Sequence, residues 1–246
     1  MSAAPSEIRV GCCGFRVARA EYFRRFPVVE VQQTFYQPPR VETLEQWRAE
    51  APNGFEFVIK AWMLVTHDAK SPTYRRLRTP LDDQERSECG AFRPTDVVAR
   101  AWETTLEAAR ALGARSVLFQ CPASFRPTGE NLDNLGDFFA RVAAGTRLEY
   151  LWEPRGGWPD PLVRSLCDEL RLVHVVDPFS ARTVTPERIY FRIHGRRGLP
   201  YEDDELEDLA GLLTGGAPAH VLFNNVRMVA DADRFLEVLK TQNRER

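Results

Sequence analysis

Lysine, histidine and long hydrophobic runs are all scarce in this chain. Three of its 33 basic residues are lysine, at positions 60, 70 and 240, and only four residues are histidine. No apolar stretch approaches the roughly 20 residues that cross a bilayer. The N-terminus also lacks the charged start and apolar core of a secretory signal. We therefore expect a cytoplasmic protein that has no membrane partner.

The cysteines match neither a disulfide framework nor a zinc site. There are five of them, an odd number, and no two are spaced as C-x-x-C. A chain of 246 residues does not depend on disulfides for its core. We expect reduced, mainly structural thiols, although the roles of Cys12, Cys13 and Cys121 stay open.

A net charge of −2 argues against a protein that is basic all over and coats nucleic acid, although a local basic patch is compatible with it. With 43% hydrophobic residues, the chain has enough apolar side chains for a sizeable core, which excludes extensive disorder. The composition leaves the oligomeric state undetermined.

Eight short runs rich in β-branched or aromatic residues alternate with helical patterns. This number of units in about 250 residues predicts an α/β fold, a (β/α)₈ TIM barrel. An open doubly wound sheet is the alternative, but it requires a G-x-G-x-x-G turn after the first strand, and GCCGF does not match. The predicted strands cover 8–13, 28–33, 55–60, 116–120, 148–153, 172–177, 189–194 and 220–224. Helices are predicted over 41–50, 95–112, 130–143, 160–170, 203–213 and 230–240.

The crossover after the third strand is oversized. We predict one barrel domain over 1–246 that contains a long insertion, 66–93, dense in arginine, acid and proline. Insertions of this length are usually lids, binding loops or disordered excursions. We interpret it as a partly ordered lid over the barrel mouth, and a passive surface insertion is the alternative.

Each predicted strand ends in polar or reactive side chains, which is where TIM barrels carry their working residues. Glu153 and Asp177 each precede a proline, which holds them in extended geometry. Arg192 and His194 are two residues apart and share one strand face, as do Glu30 and Gln32. The catalytic candidates are Glu30, Lys60, His67, Glu153, Asp177 and His194; the substrate-binding candidates are Tyr36, Gln120, Arg155, Arg192, Asn224 and Asn225.

A buried cluster of these charges is costly unless it is internally paired, so it forms a salt-bridge layer or binds a ligand. We expect an anion site near Lys60, Arg192 and His194. Neutral Lys60→Met and Arg192→Met variants should then fold yet lose phosphate-type ligands. His67 is either a general acid/base or a loop histidine bonded to backbone, and Tyr36 either stacks on a ligand or packs its loop.

We expect no tightly bound metal. Glu30, Glu153, Asp177 and His194 resemble an oxygen-rich site with one imidazole, but no H-x-H or H-E-x-x-H spacing is present. Lys60, Arg155 and Arg192 nearly balance the acids. A divalent ion is therefore expected only together with a phosphorylated ligand.

The order of motifs resembles that of the YecE-like family, a domain-of-unknown-function group with a TIM-barrel fold. The motifs are GCCGF, VEVQQTFYQPP, FEFVIKAWMLVTH, VLFQCPASF, LWEPRGGWP, VVDP, YFRIHG and HVLFNN, and they span about 8–240. The chain departs from the family pattern at Cys12, Cys13, Phe15, Gln33 and Ala123. The resemblance implies a fold and a candidate site but no reaction. Its matching positions are Glu30, Thr34, Phe35, Tyr36, Lys60, Thr66, His67, Gln120, Glu153, Arg155, Asp177, Arg192, His194, Gly195, Asn224 and Asn225.

Three functions remain open. The first is an enzyme, a hydrolase or phosphoesterase or else a lyase or isomerase, that uses general acid/base chemistry on an anionic substrate such as a sugar phosphate or a nucleic-acid phosphodiester. The second is a noncatalytic nucleic-acid module that contacts phosphates through the arginines at 75–78, 126 and 196–197. The third is an interaction scaffold whose charged layer is structural.

Overall fold

Eight parallel strands follow one another in a closed barrel in this computed structural model, which describes residues 7–143, 145–195, 198–213 and 215–244. The last strand returns to the first and pairs with it along its whole length. This closure confirms the predicted TIM barrel and excludes the open doubly wound sheet. The strands are β1 (Ile8–Cys12), β2 (Val28–Val31), β3 (Glu56–Lys60), β4 (Ser116–Gln120), β5 (Glu149–Glu153), β6 (Leu172–Val176), β7 (Ile189–Ile193) and β8 (Ala219–Phe223).

All six predicted helices are present, and four shorter ones join them. The short helices escape prediction because one or two turns carry too few residues to show a 3.6-residue period. The helices are α1 (Arg19–Arg25), α2 (Gln33–Tyr36), α3 (Val41–Glu50), α4 (Met63–Thr66), α5 (Asp83–Glu88), α6 (Asp96–Leu112), α7 (Gly129–Ala143), α8 (Asp160–Leu170), α9 (Asp203–Gly211) and α10 (Met228–Arg244). In the described part of the chain, none of them has the length and hydropathy of a membrane span.

Helix α6 shows how local sequence sets these boundaries. The Thr95 hydroxyl accepts a hydrogen bond from the Val98 amide at 3.3 Å and caps the first turn. Gly113 ends the helix with a φ of 61°, a left-handed conformation that glycine adopts without a side-chain clash. Between these ends, an apolar stripe that includes Trp102 is buried.

The chain divides into two compact units. Unit 1 comprises Met1–Glu30, Pro52–Glu56 and Val175–Arg246, and unit 2 comprises Val31–Ala51 and Phe57–His174. In unit 1, the buried Tyr22 hydroxyl accepts a hydrogen bond from the Cys12 amide at 2.7 Å and donates to the Val28 carbonyl at 2.9 Å. One tyrosine of α1 therefore ties together the backbones of β1 and β2.

Aromatic rings fill the interior of unit 2. Phe92, Trp102, Phe119, Phe138 and Tyr150 contact one another at centroid distances between 5.3 and 6.2 Å, mostly edge to face or tilted. These geometries are the favoured ones for aromatic pairs. The cluster packs α6 and α7 against β4 and β5, and so fixes the strands whose carboxyl ends carry Gln120 and Glu153.

The segment 66–93 carries its own secondary structure: a 3₁₀ helix (Pro72–Arg76) and α5. It ends in a left-handed turn in which Gly90, Ala91 and Phe92 have φ values of 84°, 52° and 56°. The Gly90 and Phe92 amides donate to the Leu64 and Val65 carbonyls of α4 at 2.7 and 2.9 Å. The segment is therefore bonded to α4, while its role as a lid and the single-domain organisation stay predictions.

Candidate functional site

A buried ion pair joins the carboxyl-terminal half of β2 to β7 in unit 1. Arg192 Nη2 and Nε donate to Glu30 Oε1 and Oε2 at 2.9 and 3.0 Å, in a two-pronged arrangement. The Tyr190 hydroxyl also donates to Glu30 Oε2 at 3.0 Å. All three side chains are buried. With both carboxylate oxygens engaged and its side chain fully buried, Glu30 is held in one orientation between β2 and β7.

Arg192 also reaches His194, which leads to Asp177. Arg192 Nη1 lies 3.5 Å from His194 Nε2, and His194 Nδ1 lies 3.3 Å from Asp177 Oδ2. The imidazole therefore lies between a guanidinium and a carboxylate, and about a third of the His194 side chain is exposed.

Asp177 is held ionised by its surroundings. Burial raises the pKa of its carboxyl, but hydrogen bonds from the His194 ring, the His194 amide and the Phe179 amide outweigh burial and lower the pKa overall. The two amides donate at 3.1 Å, one to each carboxylate oxygen. This arrangement places an ionised carboxylate against an imidazole that is partly open to solvent.

The asparagines after β8 have different surroundings. The Asn225 side-chain amide donates to Asp231 Oδ2 of α10 at 2.6 Å. Asn225 also packs closely on Gly195, because a Cβ added at position 195 would lie 2.6 Å from the Asn225 Cβ. Gly195 has a φ of 74°. Asn225 therefore braces the loop after His194. Asn224 is half-buried, and its backbone N–H donates to the Ile193 carbonyl at 2.7 Å.

A second group of predicted residues lies at the carboxyl ends of β3, β4 and β5 in unit 2; we call it the Lys60 cluster, and it contains Lys60, Gln120, His67, Glu153 and Arg155. Lys60 is buried, and its ammonium donates to Gln120 Oε1 at 2.6 Å. The same Nζ lies 4.0 Å from the centroid of the Phe35 ring, within range of a cation–π contact. The Lys60 charge is thus held in place by an amide oxygen and an aromatic face.

His67 is buried beside these cations. Its ring packs edge to face on Phe35 at 5.0 Å, and its Nδ1 lies 2.8 Å from the Thr66 hydroxyl. Burial, followed by the positive charges of Lys60 and Arg155, lowers the pKa of His67 to about 3. The imidazole is therefore neutral at pH 7, and the two cations produce a positive potential at its position.

Glu153 supplies the carboxylate of the Lys60 cluster. It is buried at the end of β5, and Arg155 Nε donates to its Oε1 at 2.9 Å. The Arg155 side chain is 40% exposed, so its guanidinium both contacts Glu153 and meets solvent. Tyr36 adjoins this cluster through Phe35, since the two rings pack edge to face with centroids 4.9 Å apart. The Arg76 guanidinium lies 3.6 Å from the Tyr36 ring centroid, and the Tyr36 carbonyl accepts from Trp62 Nε1 at 3.3 Å.

None of the five cysteines, all of which lie in the described part of the chain, forms a disulfide, and all five are buried. Burial raises the pKa of Cys12 and of Cys121 to about 12, so both are neutral thiols at pH 7. The Trp152 indole donates to Cys121 Sγ at 3.3 Å, and the Cys12 thiol faces the Met228 carbonyl at 3.4 Å. These thiols act as small core groups.

Among the described residues, no group of three or more His, Cys, Asp or Glu side chains is arranged to hold a metal ion. The absence of a tightly bound metal stays a prediction. Sequence reasoning overlooked Tyr190, whose hydroxyl donates to Glu30 Oε2. Thr34, a position that matches the family motifs, accepts a hydrogen bond from the Lys60 backbone amide. Tyr190 lies two residues before Arg192, so the alternation of strand faces could have revealed it. Arg196 and Arg197 lie outside the described residues.

The fold and these contacts define a TIM barrel that carries buried polar groups at the carboxyl ends of its strands. The chain belongs to the family described as "Protein of unknown function DUF72", whose model matches residues 16–246. This confirms the resemblance to YecE-like proteins. No curated protein matches the sequence.

Solved structures share the fold at low sequence identity. A DUF72 family protein from Enterococcus faecalis V583 is 21% identical, with a TM-score of 0.71 over 98% of this chain and 99% of its own. One from Thermotoga maritima MSB8 is 18% identical, with a TM-score of 0.63 over 95% and 99%. A xylose isomerase domain containing protein from Salmonella typhimurium LT2 is 11% identical, with a TM-score of 0.59 over 98% and 99%. These similarities extend to the fold alone.

Proposed function

We propose that this DUF72 barrel is an enzyme that binds a phosphorylated or otherwise anionic substrate at the Lys60 cluster. The observation that carries the proposal is the convergence of two cations on His67. Burial lowers the pKa of this imidazole most, and the charges of Lys60 and Arg155, which come from the ends of different strands, lower it further. A site of positive potential at the carboxyl ends of barrel strands favours an anionic ligand.

Each residue of the Lys60 cluster has its own role in the proposed reaction. The Lys60 ammonium and the partly exposed Arg155 guanidinium donate to the oxyanion of the substrate, and Gln120 orients the ammonium. Glu153, buried beside Arg155, is the general base. The substrate class supported by these groups is a sugar phosphate or a phosphodiester.

His67 gains a role only when the substrate is present. In the free protein its imidazole is neutral, because burial and the neighbouring cations oppose protonation. A bound anion offsets the charges of Lys60 and Arg155 and therefore raises the pKa of His67. The same histidine then becomes able to hold and donate a proton beside the substrate, as a general acid requires.

Calorimetric titration with inorganic phosphate and with ribose 5-phosphate tests the proposal. We expect Lys60→Met and Arg155→Met to weaken binding at least about tenfold each, because a hydrogen bond to a charged group is worth about 1.5–3 kcal/mol. Lys240→Met is the matched control, since Lys240 is exposed and pairs with Glu237 on α10. Lys240→Met should bind phosphate and ribose 5-phosphate as tightly as the native chain does.

Histidine NMR provides an independent measurement. The pKa of His67 should rise when phosphate is added to the native chain, and it should not respond to phosphate in Lys60→Met. The proposal is wrong if phosphate and ribose 5-phosphate fail to bind up to about 10 mM, a free energy of less than about 3 kcal/mol. It is equally wrong if both cation variants bind as tightly as Lys240→Met.

A noncatalytic nucleic-acid module is the second candidate, and exposed arginines of unit 2 favour it. Arg75, Arg76 and Arg78 are exposed in the 66–93 segment, and Arg126 is exposed after β4. Phosphate contacts of this kind lose affinity steeply with salt. Salt-dependent binding of an oligonucleotide without turnover, unaffected by Lys60→Met but weakened by Arg75→Met and Arg126→Met, would support the module instead.

A further inference from the structure

Exposed apolar side chains are concentrated on the loops that follow β6, β7 and β8 in unit 1. Phe179 is 43% exposed, Leu199 is 64% exposed and Val226 is 82% exposed. Each follows the carboxyl end of a different strand, and the three strands are neighbours in the barrel. Single exposed apolar residues are ordinary, and we take the three loops as the place to look for a ligand because all three carry one at the same end of the barrel.

Phe179 is held rigidly at this surface. Its ring stacks on Tyr201 with centroids 5.1 Å apart and planes inclined by 21°. Tyr201 is buried and contacts Phe223 at the end of β8 at 6.2 Å. One face of the Phe179 ring is therefore supported by an aromatic column that continues into the core, while the ring keeps a large exposed area.

The Phe179 backbone is bonded to the carboxylate that contacts His194. Asp177 Oδ1 accepts from the Phe179 amide at 3.1 Å, and Asp177 Oδ2 contacts the His194 ring at 3.3 Å. A planar ligand stacked on Phe179 would therefore share its loop with a carboxylate that is bonded to a partly exposed imidazole. A ring with both a π-face and hydrogen-bonding edges matches this combination, and a nucleobase is such a ring.

The charged side chains on the loops around Phe179 bear on the size of the ligand. Arg182 and Arg227 are exposed on the loops that carry Phe179 and Val226, and they suit a phosphate. Four consecutive acids, at 202–205, follow Tyr201 directly at the start of α9. These acids repel a long polyanion, so the loops favour a short ligand. We propose that Phe179 is the stacking platform of a binding site for the base of a nucleoside monophosphate.

Titration with AMP, GMP, CMP and UMP tests the site, with ribose 5-phosphate as the ligand that lacks a base. We expect at least one nucleotide to bind more tightly than ribose 5-phosphate. Phe179→Ala should weaken the binding of that nucleotide about 5- to 150-fold, the equivalent of the roughly 1–3 kcal/mol of one base–aromatic stack. Phe179→Trp should retain the native affinity for it. Leu212→Ala, an exposed apolar residue after α9, is the control and should bind like the native chain.

The outcomes separate this proposal from the one for the Lys60 cluster, on which it does not depend. Nucleotide binding that Phe179→Ala weakens and Lys60→Met leaves unchanged supports the stacking site alone. The proposal is overturned if a decathymidylate oligonucleotide binds more tightly than UMP, because the site would then take a polymer. It is also overturned if no nucleotide binds up to about 10 mM, if ribose 5-phosphate binds Lys60→Met as tightly as the nucleotides do, or if Phe179→Ala and Leu212→Ala bind nucleotide equally.

Discussion

Arg192 provides the sharpest test of how this barrel uses its buried charges. The sequence suggests Arg192→Met as a probe of ligand binding in a protein that stays folded. The structure changes that expectation, because Arg192 is almost fully buried and both oxygens of Glu30 depend on its guanidinium. Removing the arginine leaves a carboxylate in the core with Tyr190 as its remaining donor among these three residues.

The cost follows from the desolvation of that carboxylate. Breaking a buried ion pair by removing one partner destabilises a protein by about 3–5 kcal/mol, whereas replacing both partners with apolar residues is often close to neutral. A chain of this size loses about 2–4 °C of melting temperature per kcal/mol. We therefore expect Arg192→Met to melt about 6–20 °C lower. The double variant Glu30→Leu, Arg192→Met should recover most of that loss.

Thermal unfolding followed by circular dichroism measures both variants. Arg100→Met is the matched control, because Arg100 pairs with Glu85 at 3.0 Å on the surface, where 59% of the Arg100 side chain is exposed. Surface pairs are worth about 0–1 kcal/mol. An Arg192→Met melting temperature as close to native as that of Arg100→Met would refute the reasoning, and so would a double variant less stable than the single one.

Three further predictions concern strain, pH and thiol reactivity. Gly90→Ala should destabilise the fold more than Gly54→Ala in thermal melts, because both have a positive φ but only at Gly90 would a Cβ lie 2.4 Å from the His67 backbone. His67, whose pKa is about 3 in the fold and 6.5 ordinarily, should make stability fall as the pH drops from about 6.5 towards 3, since the unfolded chain takes up the proton first. His67→Gln should flatten that fall. Cys12 and Cys121 should resist iodoacetamide at pH 8 until the chain is unfolded, because both are buried neutral thiols.

One measured outcome would contradict each of these three predictions. Equal melting temperatures for the two glycine variants would show that the left-handed turn at 90–92 tolerates a side chain. If the stability of His67→Gln falls with pH as steeply as that of the native chain, another group titrates between about pH 6.5 and pH 3. Alkylation of Cys121 in the native protein at the rate of a free thiol would contradict its burial.

Local pattern was sufficient to predict the barrel. The apolar stripe of α6, its Thr95 cap and its Gly113 stop are all short-range features, and they bound a helix that agrees with the predicted one over 95–112. Strands such as β4 read as nearly continuous apolar runs because both of their faces are covered. The polar strand ends could likewise be named from the sequence, since a strand end is a local property.

Local pattern could not decide which polar residues pair. Glu30 and Arg192 are 162 positions apart, and Lys60 and Gln120 are 60 apart. The sequence predicts an anion site near Lys60, Arg192 and His194 because all three are cationic or basic groups at strand ends, and that site stays a prediction. The structure adds the contacts that the sequence could not give: a carboxylate at Arg192, an aspartate at His194, and an amide oxygen and a ring at Lys60.

The sequence by itself therefore determined the strands, the longer helices and the positions where chemistry is placed. Only the tertiary structure decided what each polar side chain does there. The physical reason is that secondary structure follows from hydrophobic periodicity and caps within a few residues of the chain. The role of a charge depends on its burial and on the group that faces it, and both are set only when strands far apart in sequence lie side by side.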